Sequence, residues 1–232
     1  MNRRDQLALA LDVSSSKEAL KLVDATIDHV GVFKIGMQLF YAEGPDLVRQ
    51  IKAQGRRVFL DLKLHDIPNT VARAVEAASD LGVDLLTLHA SGGQRMMAAA
   101  AEARSSHLKL LGVTVLTSMT TDEMASAWGR EISSVRDEVL RLANLGKEAG
   151  LDGIVSSALE ASWIRQKIGP SFLIVTPGIR PAGSDSDDQN RVATPREAVQ
   201  SGADFLVIGR PITQADDPSA AFAAVLKEIE EA

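Results

Sequence analysis

The chain of 232 residues contains no cysteine. That absence excludes disulfides, thiolate nucleophiles and cysteine-ligated metals, and it fits a reducing compartment. An excess of positive charge is missing as well. With a net charge of −6 and a pI near 5.3, the chain carries no electrostatic footprint for nucleic acid or an anionic membrane. A few local lysines and arginines still suffice to hold a small anion. No apolar stretch approaches the length of a membrane span. Met1-Asn2-Arg3-Arg4, followed by the apolar run Leu7–Leu11, has the outline of a signal peptide. Asp12 interrupts that run too early, however, and no small-residue cleavage site follows. The cytoplasm is therefore the expected location, with neither membrane nor nucleic acid as partner. No Gly-x-Gly-x-x-Gly follows the first apolar run, so a dinucleotide-binding open sheet has little support. No His/acid spacing suggests a metal site. His65, His89 and His107 are read as satisfying local hydrogen bonds, Met96-Met97 as helix core, and Trp128 and Trp163 as packing residues.

What is present is a recurring pattern. Short runs rich in Val, Ile, Leu and Phe return at intervals of roughly one βα unit, at 7–12, 31–36, 58–63, 84–89, 111–117, 153–157, 172–178 and 204–209. Between them, helical spacing predicts helices at Lys17–His29, Asp46–Gln54, Thr70–Leu81, Gln94–Ser105, Ser134–Ala149, Ala158–Ile168, Pro195–Ser201 and Pro218–Glu230. Thr194-Pro195-Arg196-Glu197 supplies a capping Thr, Pro at N1 and Glu at N3. Strands alternating with helices, and no composition break, predict a single (β/α)8 TIM barrel over residues 1–232. No sequence repeat or linker stands out. Pro181–Asn190, dense in Gly, Ser and Asp, reads as a mobile loop, with Asp185, Asp187 and Asp188 on its solvated face.

Barrel active sites form at the C-terminal ends of the strands. There the chain offers Asp12, Lys34, Asp61 with Lys63, His89, Thr117, Ser156-Ser157, Pro177-Gly178-Ile179-Arg180 and Gly209-Arg210. Leu7, Leu9 and Leu11 alternate with Ala8, Ala10 and Asp12. Large residues would face the helices and small ones the barrel, so Asp12 points inward, and the same count turns Lys34 inward. Gly209-Arg210 and Arg180 follow the last two strands, the usual phosphate position in such barrels.

The most informative stretch is Phe59-Leu60-Asp61-Leu62-Lys63-Leu64-His65-Asp66-Ile67-Pro68. Residues i and i+2 of a strand share a face, so Asp61 and Lys63 stand side by side while Leu60, Leu62 and Leu64 line the other face. Charges in so apolar a setting are costly unless paired, and paired buried charges stabilise weakly. A functional site explains them better than a structural ion-pair network.

Asp61-Leu62-Lys63-Leu64-His65-Asp66-Ile67-Pro68-Asn69-Thr70 closely resembles the signature of the orotidine 5′-phosphate decarboxylase family. So do Ala8-Leu9-Ala10-Leu11-Asp12, Phe33-Lys34-Ile35-Gly36, Thr176-Pro177-Gly178-Ile179-Arg180 and Val207-Ile208-Gly209-Arg210-Pro211. The resemblance spans essentially the whole chain and looks like the bacterial branch. It implies decarboxylation of orotidine 5′-monophosphate to UMP in de novo pyrimidine biosynthesis, without cofactor or metal. It implies that Lys63 protonates C6 of the pyrimidine, flanked by Asp61 and Asp66, with Lys34 completing a charged array. It assigns Asp12 and Lys34 to ribose hydroxyls, Thr117 to the pyrimidine edge, Gln189, Gly209 and Arg210 to phosphate, and Arg180 to the phosphate-side loop. It places Asp66 and Thr70 in the neighbouring subunit's site, hence a homodimer. Two rivals stay open. One is a Mg²⁺-dependent sugar-phosphate decarboxylase or aldolase sharing the Asp-x-Lys-x-x-Asp core; the other is a non-catalytic nucleotide-binding barrel.

Overall fold

The computed structural model describes residues 3–181 and 192–232. Eight parallel strands pair in sequence order, and the eighth closes on the first: the expected TIM barrel. They are β1 (Leu7–Ala10), β2 (Val32–Gly36), β3 (Arg57–Leu64), β4 (Leu85–His89), β5 (Lys109–Val113), β6 (Gly153–Val155), β7 (Leu173–Thr176) and β8 (Phe205–Ile208). The helices are α1 (Ser16–Thr26), α2 (Met37–Glu43), α3 (Pro45–Ala53), α4 (Pro68–Asp80), α5 (Gln94–Ala103), α6 (Thr121–Trp128), α7 (Val135–Glu148), α8 (Ala158–Ile168), α9 (Pro195–Gln200), α10 (Arg210–Thr213) and α11 (Pro218–Glu230).

The pleat sorts the core into two layers. Ala8, Ala10, Val32, Phe59, Leu85, Leu111, Val175, Phe205 and Val207 fill the barrel interior. Leu7, Leu9, Leu11, Phe33, Ile35, Leu60 and Leu86 face the helices in a second, larger cluster. Small residues in and large residues out on β1 is the alternation its sequence predicts. Met96 and Met97 are buried helix core, as read.

Several boundaries differ from the sequence reading. The fifth strand spans Lys109–Val113 rather than 111–117, so Thr117 lies in the segment that follows it. α4 begins at Pro68, because proline at N1 starts a helix where Thr70 had been expected to. α2, α6 and α10 had no counterpart. α2 is only 7 residues and α10 only 4, too short to show periodicity. α6 did carry a signal: Thr120 and Glu123 form a capping box, and Gly129 closes the helix in the left-handed conformation.

A short repeat also runs through the base. Gly82-Val83-Asp84, Gly150-Leu151-Asp152 and Gly202-Ala203-Asp204 precede β4, β6 and β8, and each glycine has positive φ. Each aspartate N–H donates to the carbonyl of one residue near the start of the preceding strand: Val58, Leu110 or Ile174. Its carboxylate then accepts the N–H of that same residue, at 2.8, 3.0 and 2.8 Å. Lys52, Lys109 and Arg165 neutralise the three carboxylates. The remaining pair, β1 and β2, is closed differently. Residues 3–6 pack so tightly on Gly31 that a Cβ there would meet the Arg4 carbonyl oxygen at 2.5 Å.

Candidate active site

A cavity of about 270 Å³ opens at the C-terminal ends of the strands. Its walls carry Asp12, Lys34, Asp61, Lys63, Thr117, Arg180, Gly209 and Arg210. Its floor is apolar, made by Ala10, Phe59, Val155, Val175 and Val207. Among the described residues, no group of three or more His, Asp or Glu side chains is arranged to hold a metal ion.

Two ammonium groups share one carboxylate. Lys63 Nζ donates to Asp61 Oδ2 at 2.8 Å, and Lys34 Nζ stands 3.8 Å from the same oxygen while donating to Asp12 Oδ1 at 3.0 Å. Along the array, side-chain exposure is 55% at Asp12, 10% at Lys34, 16% at Asp61 and 26% at Lys63, so its two central members are the most buried. Burial raises the Asp61 carboxyl pKa. The charges of Lys34 and Lys63, with hydrogen bonds from Lys63 and Thr87, outweigh burial and hold it below its ordinary value. His89 is shifted down, chiefly by burial and then by the positive charge of His65 and Lys63; its ring lies 5.3 Å from that of His65.

The backbone that presents Lys63 is not a regular strand. Leu60 pairs with Leu86 and Leu64 with Leu88, so four steps of β3 match two of β4. Lys63 has φ 50°, the one positive value among the described non-glycine residues. Bulges of this kind re-aim side chains next to active sites. Asp61 and Lys63 are neighbours, as period two predicts, but the bulge rather than the pleat sets the angle of the lysine.

On the opposite wall, Arg180 is buried, and its N–H donates to the Ala193 carbonyl at 3.0 Å beside an Ile179–Ala193 bridge. Arg210 opens α10 directly after Gly209. A Cβ on Gly209 would sit 3.4 Å from Asp12 Oδ2, so this glycine packs directly beside the array. Thr117 reaches the cavity although its strand ends four residues earlier.

Asp66 and Thr70 do not line this cavity. Both are exposed, Asp66 with its carboxylate on the Ile67 N–H at 2.6 Å and Thr70 in the first turn of α4. Gln189 and the loop expected around it lie outside the described residues, except for Pro181. Sequence reasoning missed Thr87, which bonds both Asp61 and the Lys63 backbone. Alternation along β4 turns it inward and was the available signal.

Residues 5–225 match the model of the orotidine 5′-phosphate decarboxylase / HUMPS family. An orotidine 5′-phosphate decarboxylase from Moorella thermoacetica is 49% identical over 238 aligned positions, covering 99% of this chain and 94% of that protein. One from Vibrio cholerae is 51% identical over 229 positions, covering 97% and 96%. The crystal structure of orotidine 5′-phosphate decarboxylase from Lactobacillus acidophilus aligns with a TM-score of 0.85 at 37% identity, covering 96% of this chain and 98% of that one. The chain belongs to the orotidine 5′-phosphate decarboxylase / HUMPS family.

Proposed function

We propose that the chain, as one catalytic domain over residues 1–232, decarboxylates orotidine 5′-monophosphate to UMP in de novo pyrimidine biosynthesis. One observation carries the reading: a half-buried ammonium, Lys63, held at 2.8 Å from Asp61 above an apolar floor. Loss of CO2 leaves the C6–carboxylate electron pair on C6, in an orbital orthogonal to the ring π system. The base therefore offers no electron sink, and fixed charge must stabilise the carbanion. Lys63 does so and then transfers its Nζ proton to C6, recovering a proton from solvent before the next turn. Asp61 keeps the lysine charged and opposes the substrate carboxylate by like charge. Asp12 and Lys34 take the ribose hydroxyls, and Thr117 meets the pyrimidine edge. Arg210, Gly209 and Gln189 hold the phosphate, with Arg180 anchoring that side, so that remote binding energy orders the array.

Neither metal nor organic cofactor enters this scheme. The decisive experiment follows the fall of orotidine monophosphate absorbance with and without EDTA. Undiminished turnover in chelator is expected. Metal-dependent turnover, or none, sinks the reading in favour of the Mg²⁺-dependent sugar-phosphate rival. UMP binding without CO2 release leaves the non-catalytic barrel.

The working unit is a cytoplasmic homodimer in which Asp66 and Thr70 complete the neighbour's cavity. Support comes from the apolar side chains exposed near them and on α2: Ile67 at 66% and Tyr41 at 80%. Mixing inactive Lys63→Ala and Asp66→Ala subunits tests it. Random exchange makes mixed dimers with one intact site, returning about a quarter of wild-type activity if sites are shared. No recovery overturns sharing.

A further inference from the structure

Thr87 is fully buried on β4, between Leu86 and Leu88. These two neighbours mark the limits of the irregularity in β3: Leu86 pairs with Leu60 and Leu88 with Leu64. Thr87 therefore faces the bulge, where the Lys63 N–H has left the regular strand ladder. Its Oγ1 accepts that N–H at 2.9 Å and donates to Asp61 Oδ1 at 2.9 Å. A hydroxyl has one proton and two lone pairs, so both bonds form at once. The other Asp61 oxygen receives Lys63 Nζ. The hydroxyl thus closes a ring that runs through both ends of Lys63: backbone N–H, Thr87, the Asp61 carboxylate, ammonium.

We infer that Thr87 is a positioning residue, whose hydroxyl fixes the left-handed backbone of Lys63 and the rotation of the Asp61 carboxylate together. The inference rests on the reading that Lys63 and Asp61 act on the substrate. Without the hydroxyl, the Lys63 N–H and Asp61 Oδ1 both lose a buried partner. The bulge can then relax toward ordinary φ, and the ammonium moves off its line.

Thr87→Val keeps the branched shape and removes the hydroxyl; Thr87→Ser keeps the hydroxyl and removes the methyl. For the valine variant, kcat should fall roughly 10- to 100-fold, the range expected for losing a hydrogen bond to a charged group. KM and UMP affinity should stay near wild type, and the serine variant should recover most of the loss. The acid limb of the kcat–pH profile should move to higher pH, since one bond favouring ionised Asp61 is gone. The other charged or titratable groups facing Asp61 are Lys34 on β2, Lys63 itself and, at the end of β4, His89; all are unchanged in the variant.

Unchanged kcat and acid limb in Thr87→Val, with Lys63→Ala inactive, overturns the positioning role and leaves the site reading intact. A loss of kcat that serine does not rescue, with an unmoved acid limb and a lowered Tm, overturns it as merely structural. Full turnover in Lys63→Ala overturns the site reading and the positioning role with it.

Discussion

At the base of the barrel, Asp84, Asp152 and Asp204 each accept a backbone N–H from the preceding strand and pair with Lys52, with Lys109 and Arg104, and with Arg165 respectively. At the mouth, Asp12 and Asp61 bind no strand amide; they hold Lys34 and Lys63 instead. The same residue type does opposite things at the two ends. At the base its lone pairs are used by the scaffold in a pattern repeated three times, and the positive φ falls on a glycine ahead of the strand. At the mouth the carboxylates hold ammonium groups that line the cavity, and the backbone departs from the strand conformation at Lys63. In barrels generally, the N-terminal face serves stability and the C-terminal face serves chemistry. Here that division can be read from what each carboxylate accepts.

Substitutions at the two rims should separate activity from stability. The largest effect belongs to the mouth: Lys63→Ala should lose turnover by about 10⁴-fold or more. Its melting temperature should hold, measured by absorbance assay and thermal melt on one preparation. Next, Arg210→Gln should reduce kcat/KM by about 10²-fold by losing a charge-assisted phosphate contact, again with little change in Tm. At the base, Asp204→Ala should reverse the pattern. It strands the Ile174 N–H and takes the counter-charge from Arg165, which should cost about 2–3 kcal/mol and lower Tm by roughly 5–10 °C. Its kcat should stay normal well below the transition; a substantial loss of kcat would blur the proposed division.

The smallest effect is a pH dependence. Because the folded pKa of Asp61 is lowered, the unfolded chain takes up the proton first as pH falls. The stability Asp61 contributes is present above the ordinary Asp value of about 4 and is lost as pH drops through its folded value. Urea melts of wild type and Asp61→Asn should therefore converge on acidification in that window. Parallel curves would show that the mouth array makes no such contribution.

Much of this was legible from residue order. Period two on the first strand turned Asp12 inward, and Asp61 and Lys63 showed themselves as charges in an apolar run. What escaped has physical reasons. The bulge at Lys63 arises from pairing with β4, which no local pattern encodes. Thr87 drew no notice, because alternation along β4 turns it inward but its role exists only across two strands. Thr117 was assigned to a strand since Val115 and Leu116 continue the apolar run, although the ladder stops at Val113. The Gly-x-Asp recurrence is only three residues long, spaced unevenly by helices of different length. The roles proposed for Asp66 and Thr70 require a second copy of the chain, which residue order does not display.

The φ of 50° at Lys63 also bears on which residues this position tolerates under different selections. A left-handed backbone costs a branched or long side chain about 1–2 kcal/mol that glycine escapes. Selection for heat resistance alone would drift position 63 toward glycine or asparagine, and the winners would be sturdier and inert. Engineers who stabilise this scaffold should therefore exempt the third strand's bulge, since backbone preference and turnover pull there in opposite directions.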